Sequence, residues 1–284
     1  MQLEIILPGE VRIATQTFGE PHNPSVLLIM GAMASMLWWP DEFCETLAQK
    51  GLHVVRYDNR DTGLSTKYPP GKPGYAFGDM VDDAVAVLDG HAVAKAHVVG
   101  MSMGGMLAQM LALRYPTRTA SLTAISTSPV GVDTSKLPGM TEAYQTHSAK
   151  GADVGWSNRA QVIEFMVEDS RMLASIAHPF DATGLRDFVG RDYDRAGGLA
   201  SATNHFMLAD GAASESIGDL LAPLLVIHGT ADPIFPIEHG RALASAVANG
   251  RLVEVPGGGH ELHRNDWPII IDAIVAHIQA SVKT

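Results

Sequence analysis

One serine of the chain lies in a sequence that is typical of a catalytic nucleophile. Ser102 is the centre of Gly100-Met101-Ser102-Met103-Gly104, which follows an apolar run and precedes a long segment with helical spacing. A strand, a tight turn and a helix in this order expose a serine hydroxyl at a strained backbone position, where flanking glycines leave room for the turn. The sequence therefore predicts nucleophilic catalysis by Ser102, with an ordinary glycine-rich turn as the alternative.

A serine nucleophile needs a base and an acid, and both have candidates at strand ends. Ligands bind beyond the carboxyl ends of parallel strands, so only residues that directly follow predicted strands qualify. Asp232 follows the apolar run Leu224–His228, and His260 follows Leu252–Val255. We expect His260 to accept the proton of Ser102 while Asp232 orients the imidazole, which makes these three residues a predicted catalytic triad.

The triad prediction has alternatives among the twelve histidines. His228 also lies near a strand end, but it belongs to the strand itself and precedes the acid. His205 and His263 are further candidate bases, and Asp232 itself could be an ordinary turn residue before Pro233. The agreement of residue type, strand-end position and chain order favours the triad over these alternatives.

Two backbone N–H groups are candidates for stabilising an oxyanion. Met103 follows the serine at the start of the predicted helix, and Ala32 follows Gly31 after the apolar strand VLLIM. N–H groups at these two places would point to the carbonyl oxygen of a bound substrate. The later segment 58–65, DNRDTGLS, has the charges and the glycine of a structural brace beneath the Ala32 loop, although its acids could also be catalytic.

The elements that position these residues alternate between strand and helix. Apolar runs predict strands at 26–30, 53–57, 97–99, 121–126, 224–228 and 252–255, with helices between them and short strands on either side of a turn at 8–10. Alternation of this kind predicts a mostly parallel, doubly wound α/β sheet. From 130 to 222 the pattern becomes helical, as in 159–177. We therefore predict a core of residues 1–129 and 223–284 with a helical cap of residues 130–222, which we call the cap segment.

Composition excludes several other classes of function. The net charge of −11 argues against nucleic acid and anionic membranes as partners, and the longest apolar run is too short to span a bilayer. The single cysteine, Cys44, is expected to be a buried structural thiol. The first residues lack a signal-peptide pattern, so we expect a cytoplasmic protein.

No metal-binding or phosphate-binding motif is present in the sequence. We therefore expect neither a metal nor a cofactor, and a small-molecule ester as the binding partner. The oligomeric state stays open.

Several segments together resemble the α/β-hydrolase group that contains aclacinomycin methylesterase. They are LLIMGAMASMLWWPDEF, GLHVVRYDNRDTGLST, DAVAVLDG, AHVVGMSMGG, LVEVPGGGHEL and, in the cap segment, DRAGG. The resemblance implies an α/β-hydrolase fold and a cofactor-free serine esterase. It assigns Ser102, Asp232 and His260 to the triad, and Ala32 and Met103 to the oxyanion hole. The segment GMSMGGMLAQMLALRYP is equally similar to 3-oxoadipate enol-lactonases and meta-cleavage C–C hydrolases.

The function predicted from the sequence is carboxylic ester hydrolysis through an acyl-enzyme. A lactonase or C–C hydrolase with the same triad is the enzymatic alternative, and a ligand-binding receptor on a hydrolase scaffold is the non-enzymatic one. Large apolar side chains near the predicted site are expected to line the substrate pocket: Met33, Trp38, Met101, Trp156 and Phe206.

Overall fold

A single eight-stranded sheet runs through the computed structural model, which describes residues 2–7, 10–208 and 215–281. The strands are β1 (Gln2–Ile6), β2 (Arg12–Phe18), β3 (Ser25–Ile29), β4 (His53–Tyr57), β5 (Ala96–Met101), β6 (Thr119–Ile125), β7 (Leu224–Gly229) and β8 (Arg251–Val255). Their order is β1-β2-β4-β3-β5-β6-β7-β8, antiparallel at β1–β2–β4 and parallel from β4 to β8. The predicted mostly parallel sheet is confirmed, while part of the predicted turn at 8–10 lies outside the described residues.

Helices cover both faces of the sheet. They are α1 (Asp41–Gln49), α2 (Phe77–Gly90), α3 (Met103–Arg114), α4 (Glu142–Ala149), α5 (Arg159–Leu173), α6 (Ala182–Ala196), α7 (Ile237–Ala246) and α8 (Trp267–Ser281). One core packs α2, α3 and α7 against the sheet, and a second core packs α1 and α8 against the opposite face. Alternate residues of β3 enter different cores, since Leu27 belongs to the first and Leu28 to the second. Burial on both faces explains the continuous apolar runs of the sequence.

The cap segment forms its own packed cluster between β6 and β7. It contains α4, α5 and α6, and no strand among its described residues. Its apolar side chains, among them Val162 and Val189, pack together and against Met33 of the core. The predicted helix 159–177 is wrong at its end, because α5 stops at Leu173. There the chain turns to hydrogen-bond the Gly257 carbonyl, which accepts from the backbone N–H of Ile176 (2.9 Å).

Two further expectations concern burial and membranes. Cys44 is fully buried in the second core, and burial raises the pKa of its thiol to about 12, which keeps the thiol unreactive. Among the described residues, the helices are all too short or too polar to cross a membrane.

Candidate active site

Ser102 lies in the strained turn that its sequence predicts. Strand β5 ends at Met101 and α3 begins at Met103, so Ser102 alone forms the connection, with φ +55° and ψ −124°. A Cβ atom at Gly100 would lie 2.1 Å from the carbonyl oxygen of Gly104. The turn is therefore tight enough to exclude any side chain at Gly100, and the positive φ directs the serine out of the sheet.

Asp232 and His260 form a buried hydrogen-bonded pair. The Nδ1 atom of His260 lies 2.8 Å from Asp232 Oδ2, and both residues are less than a tenth exposed. The other carboxylate oxygen of Asp232 accepts the backbone N–H groups of Ile234 and Phe235, each at 2.9 Å. Burial opposes ionisation of Asp232, but the charge and hydrogen bond of His260 outweigh it and lower the pKa of Asp232. The acid is thus held as a carboxylate that fixes the orientation of the imidazole.

Ser102 and His260 border the same cavity. In the described part of the chain their side chains form no direct hydrogen bond. Serine–histidine contacts often reach hydrogen-bonding distance only when substrate is bound. The structure thus places Ser102 and His260 on the wall of one cavity and hydrogen-bonds Asp232 to the histidine.

The two predicted oxyanion donors also lie at this wall. Met103 is the first residue of α3, so its N–H has no acceptor within the helix. Ala32 borders the cavity. A Cβ added to the residue before it, Gly31, would lie 3.1 Å from the Cβ of Ser102. The neighbouring N–H, that of Met33, is already bound to His205 Nδ1 at 3.0 Å. The assignment of the oxyanion donors to Ala32 and Met103 stays a prediction, and the engaged Met33 N–H does not compete with it.

The three alternative histidines have other contacts. His205 accepts the Met33 N–H through Nδ1 and lies 2.8 Å from the Arg60 carbonyl through Nε2, and burial lowers its pKa. It is therefore a neutral bridge with a donating Nε2–H. His228 is fully buried and donates to the Phe235 carbonyl (2.6 Å). His263 borders the cavity, but its Nδ1 accepts the backbone N–H of Asn265.

The segment 58–65 has the structural role that the sequence favours. Asn59 donates to the Met30 carbonyl at the end of β3 (3.1 Å), and Asp58 accepts the Met36 N–H (2.8 Å). Asp58 is completely buried and pairs with Arg195 of the cap segment at 2.7 Å. Asp58 is thus engaged in contacts that hold the loop after β3, and neither Asp58 nor Asp61 borders the cavity.

Sequence reasoning missed the cap side chains that reach the site. Asp192 accepts from Ser35 Oγ (2.6 Å) and from Trp38 Nε1 (3.1 Å), which lie just after the Ala32 loop. Arg195 belongs to DRAGG, one of the segments that carry the family resemblance, but nothing in the sequence relates it to Asp58. Asp169 of α5 gave no signal in the sequence, and it borders the cavity.

The cavity has a volume of about 1580 Å³. All five side chains predicted for the pocket border it: Met33, Trp38, Met101, Trp156 and Phe206. Eight of the 13 methionines lie in its wall, which gives that wall soft and adaptable side chains. Phe206 is 71% exposed and therefore belongs to the entrance rather than to the interior.

A small polar cluster lies at the edge of the cavity, made of His178, His263 and Asp266. Their potential ligand atoms lie within 4.8 Å of one another. His178 Nε2 is 2.8 Å from Asp266, and the rings of His178 and His263 stack with centroids 4.3 Å apart. Nearly parallel rings do not direct their nitrogens to one point, and these nitrogens already form hydrogen bonds with Asn265 and Asp266. These contacts join His178 of the cap segment to the chain that follows His260.

Comparison with known proteins agrees with this architecture. The family model for the alpha/beta hydrolase fold matches residues 24–265. The chain is similar to rhodomycin D methylesterase DauP of Streptomyces sp. (strain C5), with 32% identity over 99% of each chain. Among solved structures it is similar to an enol-lactonase from Burkholderia xenovorans LB400 (TM-score 0.75, 20% identity, 98% and 100% of the two chains). A meta-cleavage product hydrolase from Pseudomonas fluorescens IP01 aligns comparably (TM-score 0.76, 21% identity, 98% of each chain).

The likeness to these two structures concerns the fold, whereas the family match and the identity to the methylesterase concern descent. A match over most of the chain, a strained serine at the β5–α3 turn and an Asp–His pair after β7 and β8 agree with one another. The chain belongs to the α/β-hydrolase family.

Proposed function

We propose that the protein is a serine hydrolase that cleaves a carboxylic ester through an acyl-enzyme on Ser102. The observation that carries the proposal is the 2.8 Å contact between His260 and Asp232 beside the cavity that Ser102 also borders. A neutral imidazole oriented by a carboxylate can remove the serine proton, and the carboxylate then stabilises the imidazolium that forms.

The reaction has two steps. In the first, Ser102 Oγ attacks the ester carbonyl while His260 takes its proton; the tetrahedral oxyanion is held by the N–H groups of Ala32 and Met103. Collapse of this intermediate breaks the C–O bond, and His260 returns the proton to the departing alcohol. In the second step, His260 deprotonates a water molecule that attacks the acyl-enzyme, and Ser102 leaves with the proton.

Several observations support an ester as the substrate. The methylesterase relative is similar along nearly the whole chain, cap included. The wall of the cavity is rich in methionine and aromatic side chains, which suit an apolar acyl or alcohol group. We propose that residues 130–222 act as a cap over the core of 1–129 and 223–284, and that Met33, Trp38, Met101, Trp156 and Phe206 contact the substrate.

Lactone hydrolysis and C–C bond hydrolysis are rivals that use the same triad. The solved structures of such enzymes resemble this chain in fold alone. A direct comparison of rates decides between them: a 4-nitrophenyl ester, an enol-lactone and a vinylogous diketone are each assayed with the same enzyme preparation. We expect the highest kcat/KM for the ester, and a higher value for either rival substrate would replace the proposed reaction.

The triad assignment is tested with Ser102→Ala and with a fluorophosphonate probe. We expect wild type to be labelled at Ser102 and Ser102→Ala to lose at least about a thousandfold in kcat. Ser126→Ala is a matched control, because Ser126 also has a positive φ (+44°) but does not border the cavity. Retention of most esterase activity by Ser102→Ala, or equal loss in Ser126→Ala, would contradict the mechanism.

A further inference from the structure

The cap segment places one carboxylate in the cavity wall near the catalytic histidine. Helix α5 turns a stripe of side chains with helical spacing to the cavity, and this stripe contains Met166, Asp169, Ser170 and Leu173. The end of that helix touches the site directly, because the backbone N–H of His260 donates to the Leu173 carbonyl at 2.8 Å. Asp169 lies one helical turn earlier, about 6 Å along the axis.

Asp169 is poorly neutralised for a side chain in this position. In the part of the chain that the structure describes, no lysine or arginine forms an ion pair with it. His147 lies beside it, with its Nε2 3.3 Å away but not oriented for a hydrogen bond. The carboxylate is 18% exposed, and that exposed part faces the cavity. A hydrogen-bond acceptor in a largely apolar wall lowers the stability of the protein unless a donor reaches it.

Tyr144 of α4 completes the polar part of this wall. It borders the cavity, and its hydroxyl interacts with Asp169. Burial raises the pKa of Tyr144, and the charges of Asp169 and Asp232 add to that effect. Burial likewise raises the pKa of Asp169, against the opposing charges of His147 and His260. Both side chains border the cavity that His260 also borders, and Asp169 lies on the helix whose Leu173 carbonyl accepts the His260 N–H.

The other charged groups of the wall are engaged or exposed. Asp41 pairs with Arg56, and Arg264 pairs with Glu42. Glu261 accepts the N–H of Ser175, and Asp181 accepts the N–H of Gly184 at the start of α6. Arg191 is an exposed residue at the cavity border, where solvent and salt screen its charge. The charge that a buried part of the substrate meets is therefore negative.

We propose that Asp169 and Tyr144 form a polar subsite that binds a hydrogen-bond donor of the ester, a hydroxyl or an ammonium group, and rejects a carboxylate. The inference rests on the proposed function and adds the substrate class: apolar esters that carry one neutral or cationic donor. A donor on the substrate satisfies the free lone pairs of Asp169, whereas a carboxylate would bring two like charges together in a desolvated wall.

Two matched ester series test this inference. One consists of 4-nitrophenyl hexanoates whose far end is methyl, hydroxyl, ammonium or carboxylate, and the other varies the alcohol part of one common acid in the same way. In the series whose substituent reaches the subsite, we expect wild type to prefer the hydroxyl or ammonium ester over the carboxylate ester by about tenfold to a hundredfold in kcat/KM. Comparing both series shows whether the acyl or the alcohol part occupies the subsite.

Asp169→Asn should abolish that preference, and Tyr144→Phe should weaken it. Because the readout is the ratio of kcat/KM between two esters, a general change in activity that affects all esters equally does not alter it. Glu168→Gln is the matched control, because Glu168 loses the same charge on the same helix but is exposed and does not border the cavity. We expect the control to keep the wild-type ratios.

The possible outcomes are distinct. Equal rates for all substituents in both series, a preference for the carboxylate, or an equal change in Glu168→Gln overturns the subsite. If Asp169→Asn does not fold, the wild-type ratios and Tyr144→Phe still decide. Failure to hydrolyse even the methyl-ended esters overturns the proposed function itself, which is a different result from hydrolysis without discrimination.

Discussion

The hydrogen bonds of His205 should control the oxyanion loop from the cap segment. His205 is 6% exposed and joins the Met33 N–H to the Arg60 carbonyl, at 3.0 and 2.8 Å. Met33 has a positive φ of +63°, which is unfavourable for a side chain with a Cβ and must be held by its surroundings. The residue before it is Ala32, the proposed oxyanion donor. Loss of His205 should therefore disturb catalysis as well as stability.

The perturbation we choose is His205→Leu, which fills similar space but neither donates nor accepts. It leaves one buried N–H and one buried carbonyl unpaired, and each costs about 1–3 kcal/mol, so we expect unfolding free energy to fall by about 2–6 kcal/mol. An oxyanion donor is worth about 3 kcal/mol, and a partly displaced one should lower kcat by about tenfold to a hundredfold, with a smaller change in KM. Urea unfolding and steady-state kinetics on a 4-nitrophenyl ester measure both effects.

Two conservative variants separate the two contacts. The amide oxygen of Asn can replace Nδ1 toward Met33, and the amide nitrogen of Gln can replace Nε2 toward Arg60. We expect His205→Asn to regain most of kcat and His205→Gln to regain mainly stability. His277→Leu is the control, because His277 is also buried and bonded to a backbone carbonyl, that of Pro223, away from the cavity. A lower unfolding free energy of His205→Leu without any change in kcat would refute the link between His205 and the oxyanion loop.

Three further predictions follow from single contacts. Asp232→Asn should lower kcat by about 10⁴-fold with little change in KM, because the amide cannot hold the imidazole tautomer; an effect confined to KM would contradict this role. Gly104→Ala should destabilise the fold and abolish activity, since its Cβ would lie 2.2 Å from the Ile29 carbonyl oxygen, whereas Gly139→Ala, with open space around it, should be neutral in thermal melts. Burial lowers the pKa of His97 to about 4, so as pH falls from about 6.5 to 4 the unfolded chain is protonated at His97 before the folded chain, and wild type loses stability. His97→Asn, which can keep the contact with Ser121, should lose less stability over that range in urea titrations. Equal losses of unfolding free energy in the two proteins would contradict the argument.

The core of the fold could be predicted from the sequence, and the proposed triad residues could be selected from it, because each leaves a local signal. β3 and β5 are buried on both faces and read as continuous apolar runs. The serine needs glycines around it, and the acid and base must follow strands, so type and position together are informative. Cys44 could be placed in the core because it lies on the apolar face of α1.

The contacts of the cap segment could not be predicted, for a physical reason. Asp58 and Arg195 are 137 residues apart, and no periodicity relates them. The predicted end of α5 was also wrong, since residues 174–177 have no helix-breaking character. In the structure the N–H of Ile176 bonds to the carbonyl of Gly257 instead of continuing the helix. Both features depend on tertiary hydrogen bonds, which the helix propensities of individual residues cannot predict.

The cap segment contacts the proposed catalytic machinery at three points. Its Arg195 binds Asp58 under the oxyanion loop, its His205 binds Met33 within that loop, and its Leu173 carbonyl receives the N–H of His260. Asp169 lies on the same helix as Leu173. A substrate group that moves α5 through Asp169 therefore acts on the backbone of the base as well. Discrimination between esters should then appear in kcat as well as in KM, which a cap that merely covered the cavity would not produce.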